Sequence, residues 1–160
     1  MDKKSETQNI INASDDAYRS SVFEALMYYQ AIEEFLRECI LMSYEIINAK
    51  SHQVVKFKPE KRQIENVKKK MGLGGLALTF KKLTHHTDLC DRIIKESKTR
   101  NHVAHAAAVK YLQFPISENG ARNCQDASNE LVEAFTIASW LYEELLDVRN
   151  EIFEIHGQVV

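Results

Sequence analysis

Nine apolar side chains near the C-terminus, Ala127, Leu131, Ala134, Ala138, Leu141, Leu145, Val148, Ile152 and Ile155, recur at alternating spacings of four and three without a break. Such a series lines one side of an α-helix and does not fit a strand, whose faces alternate every second residue. It predicts a helix from about Asp126 to Ile155, with a seam suited to packing along another long helix at a shallow angle. A matching partner lies in the first third of the chain. There Ala25, Tyr28, Tyr29, Ile32, Leu36, Cys39, Met42 and Ile46 form a stripe, with Gln30, Glu34, Arg37, Glu38 and Glu45 opposite. Ser14 followed by Asp15 and Asp16 reads as its start, a capping hydroxyl and then acids at the positive end of the helix dipole. The first long helix is thus expected over about 14–49, after a flexible polar arm of residues 1–13.

The middle of the chain reads as shorter pieces. Ser51 to Pro59 is a connector, and a basic helix follows from about Glu60 to Lys70. Gly72, Gly74 and Gly75 then punctuate the chain ahead of an apolar helix over roughly Leu76–Leu83. These glycines lack the Gly-Lys-Ser/Thr ending of a phosphate loop and the spacing of a dinucleotide fingerprint, so they read as a turn or a close helix contact. Thr87-Asp88 opens the next helix, expected to run to about Tyr111 and to stop at Phe114-Pro115. Ser117 to about Gln125, with Asn119-Gly120, reads as a polar loop. With 160 residues, five Gly and two Pro, the chain suits one domain made of few, long elements. The expectation is an all-α fold, an up-and-down helical bundle of two long and two or three shorter helices, in a single domain over residues 14–156.

No apolar run approaches the ~20 residues of a membrane span, and the polar start Met1-Asp2-Lys3-Lys4 is unlike a secretion signal. Cys39, Cys90 and Cys124 have no paired spacing, which speaks against a disulfide framework or zinc cage and for a reducing, cytoplasmic setting. Net charge is −2, but it is unevenly spread. Between Lys56 and Lys82 nine cations face only Glu60 and Glu65, so this segment is +7 against −9 elsewhere. A basic segment on an acidic body suits a phosphate-rich ligand, and Lys68, Lys69, Lys70, Lys81 and Lys82 are its candidate contacts. A solvated helix face, kept soluble by its lysines, explains the same pattern.

Arg100-Asn101-His102-Val103-Ala104-His105 carries the chemistry. Arg neutralises a phosphate through two parallel hydrogen bonds, and His both takes and gives a proton near neutral pH. Together they are what RNA cleavage without a metal requires. At 100° per residue, Leu89, Ile93, Arg100, Ala107 and Tyr111 fall within about 40° of one direction, so Arg100 sits in an apolar stripe. Cys90, Ile94, Asn101, His105, Ala108 and Leu112 make a second, weaker face. Arg100 and His105 point about 140° apart on an ideal helix, whereas Asn101 and His105 are i,i+4 neighbours. One way out is a site shared by two copies. Another is structural, with Arg100 paired to a buried acid and His105 bonded to a backbone carbonyl. For zinc, no acid or Cys completes a ligand set with His85, His86, His102 and His105. No Ser or Cys stands in the context of a hydrolase nucleophile.

The motif and its setting resemble the HEPN superfamily of small α-helical domains, whose RNase members carry Arg-Asn-x-x-x-His; Arg100, Asn101 and His105 match that form. The resemblance spans roughly residues 15–155: a long first helix, the Gly72–Leu83 turn and short helix, the motif helix, then a long last helix. It implies a metal-independent, cofactor-free endoribonuclease acting as a homodimer, with two motifs lining one cleft. It further implies His105 as general base or acid at the 2′-hydroxyl and the leaving oxygen, Arg100 stabilising the phosphorane charge, Asn101 orienting the phosphate or the His, and a 2′,3′-cyclic phosphate product. His102 and the basic lysines would then contact the RNA. Such domains often serve as toxins or in phage defence, which implies an antitoxin or regulatory protein as partner. Toxins controlled by nucleotidyltransferase antitoxins carry a Tyr two residues after the His; here Ala107 stands there. The superfamily also holds non-catalytic members, so the alternative function is a helical regulator or scaffold that binds protein or nucleic acid.

Overall fold

The seam at the C-terminal end lies inside. Ala127, Leu131, Ala134, Ala138, Leu141, Leu145 and Val148 are all buried, and Ile152 and Ile155 half-buried. A computed structural model describes residues 3–51, 59–105 and 118–160, with side chains for 9–10, 12–51, 59–105 and 126–160. Five helices account for the described secondary structure: α1 Lys3–Ser51, α2 Lys61–Lys69, α3 Leu73–Lys81, α4 Thr87–His105 and α5 Glu118–Val159. No strand occurs among the described residues, and the fold is all-α. No described helix is long and apolar enough to cross a membrane.

Three boundaries differ from expectation: α3 begins at Leu73 rather than Leu76, so Gly74 and Gly75 lie inside it, and the starts of α1 and α5 also move. α1 begins at Lys3 rather than Ser14, which lies buried within the helix. No Gly or Pro stands between Lys3 and Ser14, so nothing there breaks a helix, and a Ser after such a run need not be a cap. α5 begins at Glu118, so its first turns occupy the stretch expected as a loop around Asn119-Gly120. One helical Gly costs only about 1 kcal/mol, which a helix this long absorbs. The motif helix starts at Thr87 as expected. Its expected continuation to Tyr111, and the stop at Phe114-Pro115, lie outside the described residues, as does nearly all of the Ser51–Pro59 connector.

The chain divides into two compact units. The first comprises Met1–Tyr28 and Lys98–Ser139. Its described core is made of small side chains: Ser14, Ser21 and Ala25 of α1 and Ala127, Ser128, Ala134 and Ala138 of α5, joined by Tyr18, Val103 and Leu131. Tyr28 and Phe135 meet edge to face, with ring centroids 5.3 Å apart, the arrangement that ring quadrupoles favour.

The second unit comprises Tyr29–Ser97 and Trp140–Val160, and its core is bulkier. Tyr29, Ile32, Leu36 and Ile40 of α1 are fully buried, as are Leu76 and Phe80 of α3, Ile93 of α4 and Leu145 of α5. Val67 is the buried residue of α2, and Ile64, its other apolar side chain, is half-buried. Arg37 joins α1 to the turn before α3 by donating to the Met71 carbonyl at 3.2 Å, while also pairing with Glu34 at 3.0 Å and buried Glu33 at 3.4 Å. Arg149 of α5 pairs with Glu38 and lies over the Phe35 ring, which stacks on Tyr142. Gly74 realises the close helix contact: a Cβ there would stand 3.0 Å from the Ser97 hydroxyl of α4.

Candidate functional site

The Arg-Asn-x-x-x-His motif occupies the last described turns of α4, in the first unit. Val103 anchors this stretch and is buried. Around it Arg100 is half-buried, and Asn101, His102 and His105 are exposed. Arg100 Nη1 donates to Asn101 Oδ1 at 3.3 Å. Arg100 does stand between buried Ile93 and Val103 on the wheel, as the stripe requires, but its long side chain leaves it only partly covered. His105 lies on the side of Asn101, one turn on, and has no hydrogen-bond partner among the described residues. A regular helix keeps Arg100 and His105 about 140° apart, so within one copy the two do not converge.

His102, placed in sequence only as a substrate contact, is exposed like His105 but lines a cavity. That cavity is about 70 Å³, and its other polar groups are Tyr18 of α1, Thr99 of α4 and Glu130 of α5, with Leu131 and Ala134 among the apolar ones. Val103 lies about 40° from Leu89 on an ideal helix, a core position the stripe read from the sequence left out, and nothing in that stripe pointed to the cavity. The lining beyond α4 comes from α1 and α5, far away in sequence.

The candidate lysines belong to the second unit. Lys68, Lys69 and Lys70 are exposed on and just after α2, and Lys82 is exposed at the end of α3. Lys81 is engaged: its Nζ donates to both oxygens of Asp91, at 2.6 and 2.7 Å. Neither unit alone therefore contains the whole set of expected substrate contacts. Lys56, Lys58 and Phe57 lie outside the described residues. His85 and His86 are exposed in the second unit, apart in membership from His102 and His105, and no group of three potential metal ligands occurs among the described residues.

Two cysteines are disposed as core residues. Burial pushes the Cys39 thiol from its ordinary 9.0 up to about 12 and the Cys90 thiol up to about 11. A thiol held protonated and covered is a poor nucleophile. Tyr29, buried beside Glu96 with its hydroxyl 3.4 Å from Oε2, is likewise raised, mainly by desolvation. The Arg92 guanidinium is raised by its hydrogen bond to Glu144.

Fold and motif together define an all-α helical protein with an Arg, an Asn and two His gathered in the last described turns of one helix. No family model matches the chain, and neither a curated protein nor a solved structure matches it.

Proposed function

We propose that the chain is an endoribonuclease of the HEPN type that needs no metal, acts as a homodimer, and uses Arg100, Asn101 and His105. The observation that carries this reading is the end of α4. There a guanidinium in contact with an amide stands one turn from an exposed imidazole. In the reaction, His105 takes the proton of an RNA 2′-hydroxyl, whose oxygen attacks the adjacent phosphorus. The bond from phosphorus to the 5′ oxygen breaks, and the imidazolium returns its proton to that oxygen. A 2′,3′-cyclic phosphate and a 5′-hydroxyl result. Arg100 stabilises the extra charge on the pentacoordinate phosphorus, and Asn101 orients the phosphate.

The angle between Arg100 and His105 is why this reading needs a second copy, with Arg and His from different motifs meeting at one phosphate. Exposed Phe23 and Met27, one turn apart on α1, and exposed Val132 of α5 give the motif's own unit apolar surface for such a contact. A toxin or phage-defence role, held in check by a partner protein, goes with this reading.

The same apolar side chains also favour the second reading, a non-catalytic helical regulator or scaffold. A cleavage assay in EDTA separates the two. The nuclease reading expects RNA cut to cyclic-phosphate ends, with Arg100→Ala and His105→Ala each lowering the rate at least ~10²-fold at unchanged helicity. Wild-type protein that never cuts RNA, alone or at dimer-forming concentration, would leave the scaffold.

A further inference from the structure

Beyond the nuclease reading, the second unit contains a cleft of its own. Leu41, Tyr44, Glu45 and Asn48 lie at i, i+3, i+4 and i+7, one face of the last turns of α1. Ile64 and Lys68, four residues apart, face them from α2, and Pro59 closes one side. The space between is about 290 Å³, the lower edge of the ~300–1,000 Å³ usual for small-molecule sites. Its walls are of two kinds. Leu41, Pro59 and Ile64 are apolar and only half-buried, so they still have surface to cover. The Tyr44 hydroxyl, the Asn48 amide and the Lys68 ammonium have no hydrogen-bond or ion-pair partner among the described residues, so each is available to a ligand.

The sign of the ligand's charge follows from the neighbours. The one acid in the wall, Glu45, is taken up by His156 of α5, whose Nε2 lies 2.5 Å from Oε2. Lys68 is thus the uncommitted charge, and it stands on a helix where Lys61, Arg62, Lys68 and Lys69 face only Glu65. The geometry points to this α1–α2 cleft as a binding site for a small amphipathic carboxylate, its anion on Lys68 and its apolar body against Leu41, Pro59 and Ile64. A nucleotide cofactor or a long-chain lipid would stand largely outside a space of this volume, and the apolar floor is wasted on inorganic phosphate. A run of RNA phosphates would use Lys68, Lys69 and Lys70 alike and have no need of Leu41 or Ile64.

Calorimetric titration of the full chain with octanoate tests the site. Saturable binding of one equivalent is expected. Lys68→Glu weakens it at least tenfold, and Leu41→Trp, which fills the cleft, abolishes it. Lys61→Glu, an equal charge change on the same helix but outside the cleft, shifts affinity less than twofold. Circular dichroism guards against unfolding, and the exposed Lys68 variant is the one on which the result rests. Four outcomes would each overturn the site: no saturable binding, equal losses in the Lys68 and Lys61 variants, octanol binding as tightly as octanoate, or displacement of octanoate by a short RNA that needs Lys68. None of them bears on cleavage by Arg100 and His105, so the two proposals fail separately.

Discussion

Four consecutive residues of α4 show how sharply a single turn of helix sorts chemistry. Arg100 is half-buried, Asn101 and His102 are exposed, and Val103 is buried. The place of Arg100 beside an apolar stripe was legible in the sequence, because 100° per residue is all it requires. The second face assigned to Asn101 and His105 was not, since both are exposed. Nor were the partners. Nothing in the local pattern says that His102 lines one cavity with Glu130 and Tyr18, or that Lys81 is held by Asp91. Buried titratable groups give the residue scale its firmest expectation. Cys39, Cys90 and Tyr29 all have raised values in the folded chain. A raised group contributes stability that is complete below its ordinary value and lost as pH climbs through the folded one. Stability is therefore expected to hold to about pH 9 and to fall across the window from 9.0 to about 11 for Cys90 and about 12 for Cys39. Urea midpoints at a series of alkaline pH values check this. In a Cys124→Ser background the two remaining thiols should also resist a disulfide reagent at about pH 8. Labelling at the rate of a free thiol would show that they are not covered.

At the scale of the element, the start of α3 offers a contrasting pair of glycines. Gly72 is the N-cap of α3, in extended conformation with φ −86° and ψ 177°, with no side chain to cap the helix and open space where a Cβ would go. Gly72→Asp supplies an acceptor to the free N–H groups of the first turn and a charge favoured by the dipole, and should stabilise by roughly 0.5–1 kcal/mol. Gly74 is different. Ala would gain about 1 kcal/mol in helix propensity, but its Cβ meets the Ser97 Oγ at 3.0 Å and Cβ at 3.3 Å. That hydroxyl is already held by the Ile94 carbonyl at 2.7 Å and cannot turn aside without losing the bond. Gly74→Ala should destabilise, and Ser97→Ala in the same chain should recover part of the loss; additive effects in the double-mutant cycle would contradict the contact. The glycine cluster was readable as a turn or a close helix contact; Gly74 makes the contact, while Gly74 and Gly75 lie inside α3 and only Gly72 precedes it. Helix starts were harder. Ser14 and Asn119-Gly120 carry real local preferences worth a kcal/mol or so, and long helices override preferences of that size. The seam from Ala127 to Val148 was legible because a buried stripe repeats one physical demand many times over, whereas a boundary states its demand once.

For the whole molecule, the division into two units changes what one continuous seam means. Its N-terminal half is Ala127, Leu131, Ala134 and Ala138, and its C-terminal half Leu141, Leu145 and Val148. The first half buries mostly methyl groups in a unit that also buries Ser14, Ser21 and Ser128; the second packs with Ile32, Leu36 and Phe80. Buried apolar area stabilises by about 25 cal/mol per Å², so along the described seam the alanine-rich half contributes less than the leucine-rich half. The same contrast ranks single substitutions. Leu36→Ala or Leu145→Ala removes a fully buried leucine and should cost about 2–5 kcal/mol, more than Ala→Gly at Ala127, Ala134 or Ala138, which removes a single methyl. Local opening should follow the same order. Native-state hydrogen exchange is expected to show amides of α1 beyond Tyr29 outlasting those between Ser14 and Tyr28, and amides of α5 between Leu141 and Val148 outlasting those between Ala127 and Ala138. The measurement compares two stretches of the same helix, with the same backbone hydrogen bonds, so a difference in protection reports the packing around them. The motif turn of α4 belongs to the unit expected to exchange faster. Equal protection along both helices would mean that the chain opens as one cooperative body, and that the difference in core composition has no energetic consequence.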